Sequence, residues 1–260
     1  MRKIKRIFQL ANSVIVDNLT AIANSKNKKF LKKNIYLKNK FKDKRLFIVM
    51  TGQSVDEIDL LGLKNEYVMG VNFMMIHHQF RKADVNFYCL PGSWNTFTED
   101  KLNWILQNVY ANANPDCHIF IQSSAHNWAK ENIFYNKENT YYFHTDTFIP
   151  GGNPPYCGLG RLEKGSFSFS IGAAIEMGFK EIFLIGCDYA KTPMQIGHFY
   201  SPEDQIAETP DELIYFHKQI EKYAQDNGTK IWNIVDEGYT SEVFQAMTRS
   251  QLSNLLKDQT

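Results

Sequence analysis

Asp188, Tyr189, His198 and Tyr200 lie within the run Gly186-Cys187-Asp188-Tyr189 … Ile196-Gly197-His198-Phe199-Tyr200, just after an apolar stretch, Glu181–Cys187, that reads as a strand. In an open α/β sheet, ligands gather at the carboxyl ends of strands, so these four residues are the first candidates for chemistry. Imidazole titrates near neutral pH, which makes a histidine in a polar loop a natural general base. His198 occupies such a loop. His77 and His78 instead follow a helix-like Phe73–Ile76 segment, and His217 falls inside a helical pattern. Asp188 would face the ligand crevice, or else cap a neighbouring turn.

Three further positions could hold a ligand. Thr51-Gly52-Gln53-Ser54 follows the first strand, where glycine permits close backbone approach and helix N-terminal amides favour phosphate. It is neither a full G-x-G-x-x-G nor a Walker A sequence, and Ser54 with Glu57 also reads as a capping box. Asn72 ends the second strand and can hydrogen-bond a base or ribose, although asparagine also ends strands for turn reasons. Ser166, Ser168 and Ser170 precede or open a helix, so one of them is expected to cap it. No metal site is expected: the histidines form no H-x-x-x-H pair, no carboxylate triplet lies near them, and no Asp-x-Asp occurs.

The elements that would position these residues alternate. Strands are expected at Leu46–Met50, Tyr67–Val71, Val85–Leu90, Cys117–Ile121, Glu181–Cys187 and, last, Lys230–Val235. Helices are expected from near Val55, over Thr98–Ala111, over Ile171–Met177 and over Asp211–Gln225. Residues 123–164 read as irregular, with the loop Pro150-Gly151-Gly152-Asn153-Pro154-Pro155 inside them. Strands alternating with helices imply an α/β protein with a mostly parallel, Rossmann-like sheet.

At 260 residues, 43% hydrophobic and 14% aromatic, the chain can bury one substantial core and is not disordered as a whole. No run approaches the roughly 18 apolar residues of a membrane span. No signal peptide is visible, and four dispersed cysteines (Cys89, Cys117, Cys157, Cys187) suit a reduced, cytoplasmic protein.

The net charge of +1 hides an asymmetry. Residues 1–45 carry 14 Lys/Arg against Asp17 and Asp43, a net +12, and the remainder carries 15 against 26 Asp/Glu, a net −11. Ile4, Ile7, Phe8, Ala11, Val14, Ile15, Leu19 and Ile22 recur at helical spacing beside Arg2, Lys3, Lys5 and Arg6. Residues 1–44 thus read as a basic amphipathic helix and linker, and residues 45–260 as the Rossmann-like domain. Such an arm can lie on an anionic membrane surface, at the inner membrane face. The alternative is a helix packed on its own domain or on a second subunit, making a homo-oligomer. Nucleic acid is not an expected partner, since the basic run has few aromatics and no recognition motif.

Phe47–Asn72, Ser166–Tyr189 and Ile196-Gly197-His198 together resemble, in order, three blocks of the bacterial family-42 sialyltransferases. The blocks are a strand with a G-x-G-P-S-L-like turn and a strand ending on asparagine, a helix with a G-[FY]-K-E-I-[FY]-L-x-G-x-D strand, and an I-G-H. The first two blocks are also similar to a broader group linked to 6-hydroxymethylpterin pyrophosphokinases. The resemblance implies a metal-independent transferase using a CMP-activated nine-carbon sugar acid. It implies that Gly52, Gln53 and Ser54 line the phosphate turn, with Thr51 beside them, that Asn72 touches the nucleotide and that Ser166 contacts the donor. His198 would deprotonate the acceptor, and Tyr189 or Tyr200 would hydrogen-bond the departing phosphate. Thr51 stands where the family has asparagine, Gln53 where it has proline, and Ala190 where it has a phosphate-binding tyrosine. Residues 123–164 would form a lid or acceptor wall. Two other functions stay open: Mg²⁺-dependent diphosphate transfer, and nucleotide binding without catalysis.

Overall fold

A computed structural model describes residues 32–90, 99–122, 129, 138–143 and 165–257. The strands within them are β1 (Arg45–Val49), β2 (Tyr67–Val71), β3 (Phe87–Leu90), β4 (His118–Gln122), β5 (Thr140–Phe143), β6 (Glu181–Ile185), β7 (Met194–His198), β8 (Ser201–Ala207), β9 (Lys230–Val235) and β10 (Gln245–Thr248). Eight of them form one sheet in the order β10-β9-β6-β1-β2-β3-β4-β5, and every pairing in it is parallel. The helices are α1 (Glu99–Asn112), α2 (Ser166–Glu176), α3 (Asp211–Asp226) and α4 (Arg249–Lys257).

The central strands are unbroken apolar runs because both faces of the sheet are covered. Phe47, Val49, Phe183 and Ile185 turn to one face, with Leu102 and Ile105 of α1 and Leu252 of α4. Leu46, Ile48, Ile182 and Leu184 turn to the other, with Phe169 and Ile175 of α2 and Ile220 of α3. Burying each such side chain is worth about 1.5–3 kcal/mol. Phe47 and Phe183, register partners across β1 and β6, stack with centroids 4.7 Å apart.

Four expectations are corrected. The helix expected from Val55 is instead two 3₁₀ turns, Gln53–Glu57 and Leu60–Leu63. Ile58 between them is extended, and Asp59 caps the second turn by accepting from Leu61 N, so the chain restarts rather than continuing. The stretch taken as irregular contains β5, whose four residues Thr-Tyr-Tyr-Phe are all buried against β4. Lys230–Val235 is not the last strand, because β10 pairs beside it and leads into α4. The polar loop that carries His198 is an antiparallel hairpin, β7–β8, with a register shift between Ile196 and Gly197. It reads as loop because it stands off the core and has little to bury.

The end of the expected linker packs on the domain: Leu37 is buried and Phe41 stacks on Phe179, centroids 5.1 Å apart. The amphipathic helix expected over residues 4–22 and most of the expected lid lie outside the described residues. Among the described residues, no helix is long and apolar enough to cross a membrane.

Candidate active site

The sheet grows outward from β1 through β2 to β5, and the chain then returns to the other flank of β1 as β6. The carboxyl ends of β1 and β6 therefore mark the point where strand order reverses, the usual ligand crevice of such sheets. Their loops are tied together, Gly52 N donating to Gly186 O at 2.9 Å. A Cβ on Gly52 would lie 2.5 Å from Gly186 O and 2.6 Å from Asp188 Oδ2. Glycine is required there first by the protein's own packing.

Asp188 is 1% exposed and faces inward. It accepts from Ser54 N at 2.9 Å and from Ser54 Oγ at 2.5 Å, and pairs with Lys191 Nζ at 2.8 Å. Ser54 is thus held by Asp188 and is not an N-cap; the cap position belongs to Gly52, without a side-chain bond. Glu57, expected to complete a capping box, accepts from Arg249 instead. Two of the turn's amides, Gly52 N and Ser54 N, are engaged within the chain.

His198 ends β7 on the exposed side of the crevice. Its Nδ1 lies 3.1 Å from Thr51 Oγ1, and Phe199 N donates to Thr51 O at 3.0 Å. Gln53 Nε2 donates to Ile196 O at 2.9 Å and to Glu203 O at 2.6 Å, stapling both strands of the hairpin to the turn. Gly197 has φ +122°, and a Cβ there would collide with the Gln53 amide, which accounts for glycine before the histidine. Tyr200 stacks on the His198 ring at 5.0 Å and meets Phe73 edge-on at 5.5 Å. Burial raises the Tyr200 pKa, and a hydrogen bond from the Thr51 hydroxyl partly offsets this. Two arrangements satisfy the Thr51–His198 distance: Nδ1–H donating to Thr51 Oγ1, which leaves Nε2 with its lone pair, or the Thr51 hydroxyl donating to a bare Nδ1.

Asn72 has φ +53° and donates from Nδ2 to Ser166 Oγ at 2.9 Å, while its carbonyl accepts from Tyr88 Oη at 2.6 Å. Phe73 follows it directly, so Asn72 and Ser166 adjoin the Phe73–Tyr200–His198 row. None of the three serines caps α2: Ser168 and Ser170 donate back to Gly165 O and Phe167 O, and the cap is Gly165 without a side-chain bond.

Tyr189 does not join this group. Its hydroxyl donates inward to Met50 Sδ at 3.5 Å, its ring packs on Phe167 and His217, and burial raises its pKa well above the ordinary value. Of the two tyrosines named beside His198, Tyr200 alone touches it.

No family model and no curated protein matches the sequence. Solved structures do. The chain is similar to the sialyltransferase CstII from Campylobacter jejuni in complex with the substrate analogue CMP-3FNeuAc, with 17% identity, 73% of this chain and 80% of that one covered, and a TM-score of 0.44. It is also similar to an alpha-2,3-sialyltransferase from Campylobacter jejuni in apo form, with 16% identity, coverage of 82% and 85%, and a TM-score of 0.45.

A histidine cluster that spacing could not reveal lies beside the site. Asp56, His77 and His78 bring their ligand atoms within 4.8 Å of one another, and Phe199 packs edge-on against His77. Gln79 N donates to His77 Nδ1 at 3.3 Å, which leaves the ring proton on Nε2, 3.1 Å from Asp56 Oδ1. Desolvation and His78 lower the His77 pKa against the pull of Asp56. The buried thiols Cys117 and Cys187 have pKa values raised by burial, which makes them inert.

Proposed function

We propose that the chain is a metal-independent inverting glycosyltransferase that transfers a CMP-activated nonulosonic, sialic-acid-like sugar in bacterial surface-glycan synthesis. The observation that carries this reading is the His198–Thr51 pair at the sheet's switch point; the reading assigns the ring proton to Nδ1, facing Thr51, and the lone pair to Nε2. In this reading Nε2 takes the proton of an acceptor hydroxyl. The acceptor oxygen bonds to the anomeric carbon from the face opposite CMP, and the bond to CMP breaks with its electron pair going to the phosphate. The Tyr200 hydroxyl steadies that phosphate by a preorganised hydrogen bond. Asn72 and Ser166 receive the nucleotide, and Gln53 supplies the backbone of the turn. Asp188 and Ser54 hold the turn from beneath. The basic arm, residues 1–45, holds the enzyme at the anionic inner membrane face.

Two observations bear on the alternatives. Asp188 is the strand-end carboxylate that could hold Mg²⁺ for diphosphate transfer, and Lys191 already neutralises it. Tyr189 faces the core and Ala190 is buried, so leaving-group stabilisation rests on Tyr200; this favours, as the second reading, a nucleotide-binding protein without turnover. The deciding test is a thermal-shift screen of CMP, UDP, GDP and ATP, each in EDTA and in Mg²⁺, followed by CMP-sugar turnover. Selective stabilisation by CMP in EDTA with turnover supports the proposal. Stabilisation without turnover supports the second reading, and ATP stabilisation only with Mg²⁺ overturns the proposal.

A further inference from the structure

Lys191 is 0% exposed, an uncommon state for an ammonium. Its Nζ bridges Asp188 Oδ1 and Asp236 Oδ2, each at 2.8 Å, and lies 5.6 Å from the centre of the Tyr239 ring. Asp236 pairs in turn with Arg249 NH2 at 2.8 Å, and Arg249 NH1 donates to Glu57 Oε2 at 2.8 Å. Ser54 and Glu57 are in the same 3₁₀ turn, so the chain of contacts closes on itself: Ser54, Asp188, Lys191, Asp236, Arg249, Glu57. Loops after β1, β6 and β9 and the start of α4 all meet in this ring.

We infer that Lys191 is a positioning residue for the candidate base: by fixing Asp188 it sets the Thr51–Ser54 turn, and through the Thr51 hydroxyl it orients His198. The inference rests on the reading of His198 as the base. A buried ion pair is weak evidence for stability, since apolar residues of similar volume often serve a fold as well or better. What this one supplies is direction. A carboxylate accepts several bonds at once, and Asp188 accepts from Ser54 N, Ser54 Oγ and Lys191 together. The same turn grips the hairpin through Gln53 and His198 through Thr51. An error in the turn is therefore passed straight to the imidazole. Lys191 touches none of the groups assigned to substrate.

The test compares wild type with Lys191→Met and with the charge-neutral pair Asp188→Asn/Lys191→Met, each with and without His198→Ala. The double variant leaves no unpaired charge and serves if Lys191→Met alone fails to fold. The expected result is a kcat lowered about 10²-fold, as a misplacement of about 1 Å can cause, with the melting temperature of the double variant close to wild type. In the His198→Ala background the same substitutions are expected to change the residual rate little, because they act through a base that is gone. Equal losses in both backgrounds would overturn the inference, as would an unchanged kcat. Nitrogen-15 spectra of the histidine side chains read the same point without activity. His198 is expected to hold the Nδ1–H tautomer in wild type and to lose that preference in the variants. If wild type turns over no CMP-sugar, the proposed function falls and these spectra alone decide; an unchanged tautomer would then overturn the role of Lys191.

Discussion

In the proposed reading one oxygen of Thr51 holds the Nδ1 proton of His198, and the cost of losing that oxygen follows from the bond. Thr51→Val keeps the shape of the side chain and removes the hydrogen bond at 3.1 Å. A typical net hydrogen bond is worth about 0.5–1.5 kcal/mol, so kcat is expected to fall about two- to twelvefold with CMP affinity unchanged. Steady-state rates and calorimetric CMP binding check this, and a variant as fast as wild type would remove Thr51 from the site. Gly52→Ala brings a Cβ within 2.6 Å of Asp188 Oδ2 and 2.5 Å of Gly186 O. Overpacking of this kind typically costs 1–3 kcal/mol, which urea denaturation would measure. The glycine, Ser54, Asn72 and His198 were all legible as site candidates, since each closes a strand or sits in a polar segment beside one. Their partners were not. Ser54 meets Asp188 across 134 residues and Thr51 meets His198 across 147, and no local pattern encodes such pairs. Tyr189 and Tyr200 looked equivalent in sequence; the 3₁₀ turn at Asp188–Ala190 sends one inward, and the hairpin brings the other onto the histidine.

At the scale of elements, α3 shows how packing fixes a titration. His217 lies buried on its inner face among Phe167, Tyr189 and Phe244, and desolvation lowers its pKa to about 4. In the unfolded chain the ring titrates near 6.5. Above that pH both states carry a neutral ring and nothing is lost. Between about 6.5 and about 4 the unfolded chain binds a proton that the folded chain refuses, so stability falls as pH falls. The loss reaches about 3 kcal/mol by the bottom of that window. His217→Leu is expected to flatten this slope when urea midpoints at pH 7.5 and 5 are compared, and an equal slope in both proteins would contradict the assignment. The six expected strands all occur because a parallel sheet covered on both faces leaves continuous apolar runs. The hairpin β7–β8 was not legible for the opposite reason: its exposed pattern gives no period to read. The turns after β1 read as a helix because Ile58 and Leu61 stand three residues apart with Leu60 beside them, but Ile58 is extended and Leu61 is exposed.

On the scale of the whole molecule, the order of the sheet decides where chemistry belongs. One reversal, between β6 and β1, brings the turn after the first strand against the loop after the sixth. The hairpin that carries His198 is then stapled to the first of these by Gln53. Charge follows the same division, with +12 on residues 1–45 and −11 on the rest. The central claim is that His198 is the base of a CMP-sugar transfer, and the most direct measurement is CMP release by wild type and His198→Ala in EDTA, with CMP affinity followed in parallel. The account predicts a rate lowered about 10²–10⁴-fold with CMP affinity and melting temperature unchanged. A His198→Ala protein that releases CMP as fast as wild type would contradict it.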